Sequence, residues 1–141
     1  MAVWQTSLDI DTSGRGFRRL DREVDSVVRA SGLQTGLVHL FLQHTSASLI
    51  LCENADPDVR SDMETLFSRL APDGDAEYRH TLEGPDDMAA HARTVVAGHD
   101  LTLPLSESRL ALGIWQGIFL WEHRSSGHSR RIIVTVTGEP G

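Results

Sequence analysis

Cysteine is nearly missing. Cys52 is the single one among 141 residues, so no intrachain disulfide can form and a disulfide-framed secreted scaffold is excluded. A reducing cytoplasm suits that usage. Positive charge is also scarce: thirteen basic residues against twenty acidic ones leave a net charge of −7, a field that repels phosphate backbones and anionic lipid headgroups. Nucleic acid and membrane surfaces are therefore not expected partners. A small anion remains compatible, because a local group such as Arg124, Arg130 and Arg131 can hold a phosphate inside an acidic protein. No run approaches the ~20 apolar residues of a membrane span, and the opening "MAVWQTSLDIDTSGRG" has no basic stretch followed by an apolar one. Repeats and low-complexity tracts are absent as well. The expectation is one soluble domain over residues 1–141, large enough to bury its own core.

What is present is well patterned. Trp4, Thr6, Leu8 and Ile10 alternate with polar residues at the period of two that marks a strand with one covered face. Leu20, Val24, Val27 and Val28 then follow helical spacing, with Asp21 as a cap and Gly32 as a stop. "LVHLFLQH" and "SLILCEN" read as two extended segments in an antiparallel pair, joined by a hydroxyl-rich break, with Val38, Leu40, Leu42 and His44 on one face. Asp56 and Pro57 open a second helix, in which Val59, Met63, Leu66, Phe67 and Leu70 line one side, and it ends near Pro72.

The polar segment "APDGDAEYRHTLEGPDD" is long for a connection and carries His80 and Glu83, which marks it as a functional loop. In a third helix, Met88, His91, Ala92, Val95 and Val96 trace a face that points His91 inward, and Gly98 ends it. The C-terminal part, "LTLPL", "RLALGIWQGIFLWEH" and "RRIIVTVTG", is strand-like. Helices set among antiparallel strands predict an α+β domain with about three helices.

Several groups can carry chemistry. His44, His80 and His91 stand out among seven histidines, and three converging imidazoles with an open position would suit Zn²⁺, whereas Mg²⁺ would draw on oxygens such as Asp56, Asp58, Glu83 or Glu122. For any one of them alone the reading as a hydrogen-bonded structural histidine leads, and it is the three together that point to a site. In "ENADPD", Asp56 is explained by capping, while Glu53 and Asn54 are not required for it. In "WEHRSSGHSRR", Glu122, His123, Arg124, His128, Arg130 and Arg131 flank a Ser-Gly turn and would gather at one end of a hairpin, with Arg130 the better phosphate donor. A solvated basic tip is the plainer reading. Trp115 and Gln116 lie between Gly113 and Gly117, as core or as a flat wall for a heteroaromatic ligand. Thr45, Ser46 and Ser48 supply hydroxyls for a turn or a ligand, and Cys52, set among apolar neighbours, reads as a packing residue.

Four of these stretches, "LQHTSASLILCENADPDVR", "YRHTLEGPDDMAAH", "RLALGIWQGIFLWEHR" and "SRRIIVTVTGE", in this order over Gly36–Glu139, closely resemble the YjbQ family. The resemblance implies an α+β subunit with antiparallel sheets, a homotrimer, and a secondary thiamine-phosphate synthase activity. Its motifs fall here on His44, Thr45, Asn54, Asp56, His80, Glu83, His91, Trp115, Gln116, Glu122 and Arg130. Ile114 stands where the family usually has Thr, and His128 where Gly is common, which puts a hydroxyl contact and the tightness of the last loop in question.

Roles assigned on chemical grounds make His44, His80 and His91 the metal ligands, and His44, His91, Glu83 and Asp56 the catalytic group. Thr45, Ser46, Asn54, Trp115, Gln116 and Arg130 then bind substrate or phosphate. The implied reaction joins a pyrimidine-methyl diphosphate to a thiazole phosphate with loss of pyrophosphate. A diphosphate favours Mg²⁺ and a histidine triad favours Zn²⁺, so the divalent ion stays open between them. A metal-dependent hydrolase or lyase on another small phosphorylated metabolite, or a non-catalytic trimeric small-anion binder, would use the same residues.

Overall fold

A computed structural model describes residues 1–141, whose core lies between two antiparallel sheets. The larger is built from β1 (Ala2–Asp11), β8 (Ser129–Pro140), β3 (Leu33–Leu42), β5 (Asp100–Ser106) and β6 (Arg109–Leu110), in that order. The smaller has β2 (Gly16–Arg19), β7 (Gln116–Glu122) and β4 (Ala47–Glu53), with β7 central. Helix α1 (Asp21–Ala30) seats Val24 and Val28 in the core with Leu20, and α2 (Pro57–Leu70) and α3 (Asp87–Ala97) complete the chain. No helix is long and apolar enough to cross a membrane.

The period of two explains the layers. Val38, Leu40 and Leu42 of β3, Ile132, Val134 and Val136 of β8, and Leu103 and Leu105 of β5 face Ala47, Leu49, Ile118 and Leu120 of the smaller sheet. The α+β class, the antiparallel sheets and the three helices therefore stand as expected. The opposite face of the smaller sheet carries Ser48, Phe119, Trp121 and His123, and α2 packs on it through Phe67, whose ring meets Trp121 edge-on at 4.7 Å. The second helix starts as its sequence predicts, with the Asp56 carboxylate accepting from the Asp58 amide at 2.9 Å and Pro57 in the first turn.

Four expectations are corrected. The segments β3 and β4 do not pair: β3 bonds to β5 and β8, β4 bonds to β7, and the break at residues 43–46 carries the chain from one sheet to the other. Likewise "WEHRSSGHSRR" is no hairpin, because β7 and β8 belong to different sheets. The long strand drawn through residues 109–123 is interrupted between β6 and β7. Asp21 does not cap α1; its carboxylate accepts instead from the Ile118 amide at 2.8 Å, tying the helix to β7.

The third helix packs on its other side. Ala89, Ala90, Arg93 and Thr94 are buried, while Val95 and Val96 are exposed and His91 sits at the rim rather than inside. Small residues let the helix approach β4 closely, and Thr94 Oγ1 donates to the carbonyls of Ala90 at 3.0 Å and Ala47 at 3.3 Å. A buried polar group fixes the same helix: Arg93 donates to Glu64 at 3.0 Å, Trp121 Nε1 donates to the other Glu64 oxygen, and His123 Nε2 lies 2.8 Å from Ser48 Oγ.

His123 is fully enclosed, and burial, with the charges of Arg93, Arg15 and Arg130, lowers its pKa to about 3. In the unfolded chain it takes up a proton near pH 6.5. Stability is thus complete above about 6.5 and falls as the pH drops toward 3, by about 1.4 kcal/mol per pH unit at most. Urea titrations between pH 7 and 4.5 should show this slope in the wild type and a shallower one in His123→Phe. Equal slopes would show that His123 does not carry the effect.

Candidate active site

The loop between α2 and α3 is held in shape by its own bonds. Gly74 N donates to the Pro85 carbonyl at 2.9 Å, Tyr78 Oη donates to the Pro72 carbonyl at 3.1 Å, and the Arg15 fork grips Asp73 at 2.7 and 2.9 Å. So ordered, it lays His80 against the first turn of α3.

There His80 Nε2 lies 2.6 Å and His91 Nε2 lies 3.0 Å from the same oxygen, Asp87 Oδ2. One candidate ligand atom from each of His80, Asp87 and His91 falls within 4.8 Å of the others. Asp87 and His91 are one helical turn apart, which places both on one face of α3. His91 Nδ1 donates to the Thr45 carbonyl at 2.9 Å; a carbonyl only accepts, so Nδ1 carries a proton and Nε2 is the ring nitrogen left to face Asp87, as a donor to its carboxylate or, with a cation between them, as a ligand.

Arginine completes the group. Arg124 donates through Nε to Asp86 Oδ2 at 2.9 Å and through Nη2 to the Glu83 carbonyl at 2.9 Å, and its Nη1 stands 3.0 Å from Asp87 Oδ1. Asp86 also accepts from the amide and hydroxyl of Ser125, at 2.8 and 3.1 Å. Burial would raise the pKa of both aspartates, but the bonds from Arg124 and Ser125 hold Asp86 well below the usual carboxylate range, and those from His80 and the neighbouring His91 and Arg124 lower Asp87. The two carboxylates are therefore ionised at neutral pH, in a site open to solvent through His80 and His91.

Among the residues anticipated from sequence, His80 and His91 come together and His44 does not join them; Asp87 takes the third place. His44 Nε2 accepts from the Arg131 amide at 2.8 Å, and burial together with Arg130 lowers its pKa, so it is a neutral acceptor already in use. Arg130 is not a free phosphate donor. It is buried, its fork lies on Glu122 through Nε at 2.8 Å and through Nη2, and it also donates to the Ser46 carbonyl at 3.2 Å. Ser46 is likewise buried, and Thr45 acts here through its backbone. Glu83 lends its carbonyl to Arg124 while remaining exposed.

Asn54, Asp56, Trp115 and Gln116 form a separate group at the far end of β4. Asn54 Nδ2 donates to the Ile114 carbonyl at 3.1 Å, and the Gln116 side chain accepts from the Gly113 amide at 2.8 Å. Seven residues of β4, roughly 20 Å of strand, separate them from Thr45 and His91. Sequence reasoning missed Asp86 and Asp87, and it named Arg124 as a possible phosphate holder but preferred Arg130. The signal for Asp87 was available in "DDMAAH", whose second Asp and final His are spaced i,i+4. The cavity beside His91 encloses about 700 Å³ and is lined by Phe41, Leu42, His44, Thr94, Val95 and His99, among others.

Comparison with known proteins agrees with this fold. The family model described as UPF0047 protein YjbQ-like matches residues 6–139. A UPF0047 protein of Synechocystis is 47% identical over 96% of this chain and 92% of its own length. The UPF0047 protein YjbQ of Salmonella typhimurium is also 47% identical, over 96% of this chain and 99% of its own. Among solved structures, a conserved hypothetical protein from Thermus thermophilus superposes with a TM-score of 0.84 at 34% identity, covering 94% of this chain and 99% of that one.

The Glu122–Arg130 pair yields the prediction here, since both side chains are at least 96% buried. Glu122→Gln leaves a guanidinium enclosed without its counter-charge and should cost about 3–5 kcal/mol in urea unfolding. Glu122→Leu with Arg130→Met should restore much of that loss. A Glu122→Gln protein of wild-type stability would contradict a structural role for the pair.

Proposed function

The chain belongs to the UPF0047 YjbQ-like family, and from that premise we propose that it is a divalent-metal-dependent enzyme acting on a small phosphorylated metabolite. The single observation that carries this reading is the His80, Asp87 and His91 group beside Arg124. Two imidazoles and one carboxylate are a donor set for Zn²⁺ or another transition ion rather than for Mg²⁺, which prefers oxygen. An Nδ1–H donated to a backbone carbonyl is also the outer bond that metal-ligating histidines commonly make, and His91 has it. Such an ion, when bound, supplies Lewis acidity toward a phosphoryl or carbonyl oxygen.

The chain's own residues account for the rest. A guanidinium has five N–H groups, and Arg124 commits three, so two remain for phosphate oxygens next to the ion site. Asp86 anchors that arginine, while Thr45 keeps His91 in one tautomer. The finer reading is the condensation implied by the resemblance. The C–O bond of a pyrimidine-methyl diphosphate breaks, pyrophosphate leaves with the electron pair, and a thiazole nitrogen bonds to the methylene carbon. Arg124 would offset the charge growing on the leaving group. We also propose the homotrimer as the working assembly. The outer face of the larger sheet, with Val3, Leu37 and Phe41 exposed, has no layer packed upon it, and Val95 lies beside Phe41.

Protein purified without a histidine tag should retain about one zinc-class ion per chain through dialysis, and Asp87→Asn or His91→Ala should release it, read by elemental analysis. A wild type that takes up no such ion on titration removes the metal reading. In an assay with both condensation substrates, Arg124→Met should lower product formation by about 100-fold at saturating metal. No product above the His91→Ala background would retire the condensation while leaving a hydrolase, a lyase or a binding protein to be distinguished by turnover of other phosphate esters.

A further inference from the structure

Two features that one subunit leaves unused are complementary. Ile114 and Trp115, at the tip of the turn between β6 and β7, are 81% and 60% exposed. That tip is nonetheless firmly tied. Asn54 donates from Nδ2 to the Ile114 carbonyl and from its amide to the Trp115 carbonyl, both at 3.1 Å, and Gln116 N donates to the Gly113 carbonyl at 3.1 Å. A preordered tip loses little conformational freedom on docking, and tryptophan is among the residues that most often dominate an interface.

The cavity beside His91 is the matching concavity. At about 700 Å³, bordered by Phe41, Leu42, Val95 and His99, it has room for an indole and a branched aliphatic side chain together. Tip and cavity lie at opposite ends of β4, roughly 20 Å of strand apart, so a subunit cannot fill its own cavity. We propose that the Ile114–Trp115 tip of one copy seats in the His91-bordered cavity of a second copy, so that the candidate metal site is walled by Trp115 from its neighbour. Asn54, Asp56 and Gln116, stranded at the far end of β4 within one chain, are carried toward that site with it.

The tip supplies part of the area an interface needs. Burying the tryptophan and isoleucine removes on the order of 300 Å² on the tip side, a substantial part of the ~800 Å² per partner of a standard interface. Exposed Val95 and Phe41 add to the receiving side. Each copy offers one tip and one cavity, so the contact is head-to-tail and leaves none unfilled in a closed ring. This inference deepens the assembly reading given above and rests on it, but not on the metal.

The test uses the full chain with Cys52→Ser, carrying Trp115→Cys together with Val95→Cys. Mild oxidation should give disulfide-linked multimers of the double variant on a non-reducing gel, while each single variant stays uncrosslinked across this contact. Light scattering should find the wild type as a multiple of 15.5 kDa, and Trp115→Ser with Ile114→Ser should weaken self-association at least tenfold with an unchanged circular dichroism spectrum. A monomeric wild type at micromolar concentration overturns both this contact and the assembly reading. A multimer that neither crosslinks through 95 and 115 nor dissociates on the serine substitutions overturns this contact alone.

Discussion

The two sheets are joined at one enclosed ion pair. Glu122 closes β7 of the smaller sheet, and Arg130 stands near the start of β8 in the larger one. Around them Thr12 at the end of β1 donates to Glu122 at 2.7 Å, the Ser46 carbonyl ahead of β4 accepts from Arg130, and His44 is packed against the same guanidinium. Four strand ends thus converge on two charges. Charges so enclosed persist only when nearly all their donors and acceptors are used, and that requirement fixes the path of residues 44–46 between the sheets. The Thr45 carbonyl, which orients His91, is set by the same path.

A second consequence follows for α3. Its inner side is alanine, threonine and an arginine locked to Glu64, so the helix is held by close approach and polar bonds rather than by bulky apolar contacts. That arrangement leaves its valines outside and its Asp87–His91 edge at the rim. The fold thereby places a carboxylate with little access to water next to imidazoles that have access, which is the contrast a ligand-exchanging centre requires.

Much of this was legible in the residues. The alternation in β1 and β3, the Asp56–Pro57 start of α2 and the loop that carries His80 all follow from local chemistry, and His80 and His91, both singled out there, meet at Asp87. What was not legible depended on distant partners. That Arg130 spends its fork on Glu122 is decided by β7 and β8 entering different sheets, which no local pattern encodes. The face buried by α3 was misjudged because Val95 and Val96 outweigh the alanines in apolar content, although small residues decide how closely a helix can approach a strand. Asp87 was passed over because an acid in the first turn of a helix has a ready role there, and Arg124 was ranked behind Arg130, until the loop and the β7–β8 connection bring the two together.

Thr45 holds His91 through its peptide oxygen, and the identity of its side chain is irrelevant to that bond. Alanine scanning would therefore record position 45 as silent even though the ring's tautomer is determined there. Information of this kind is stored in chain direction rather than in residue type. Only a change that re-aims the peptide plane, or an ester in place of the 45–46 amide that weakens its carbonyl as an acceptor, would reveal it.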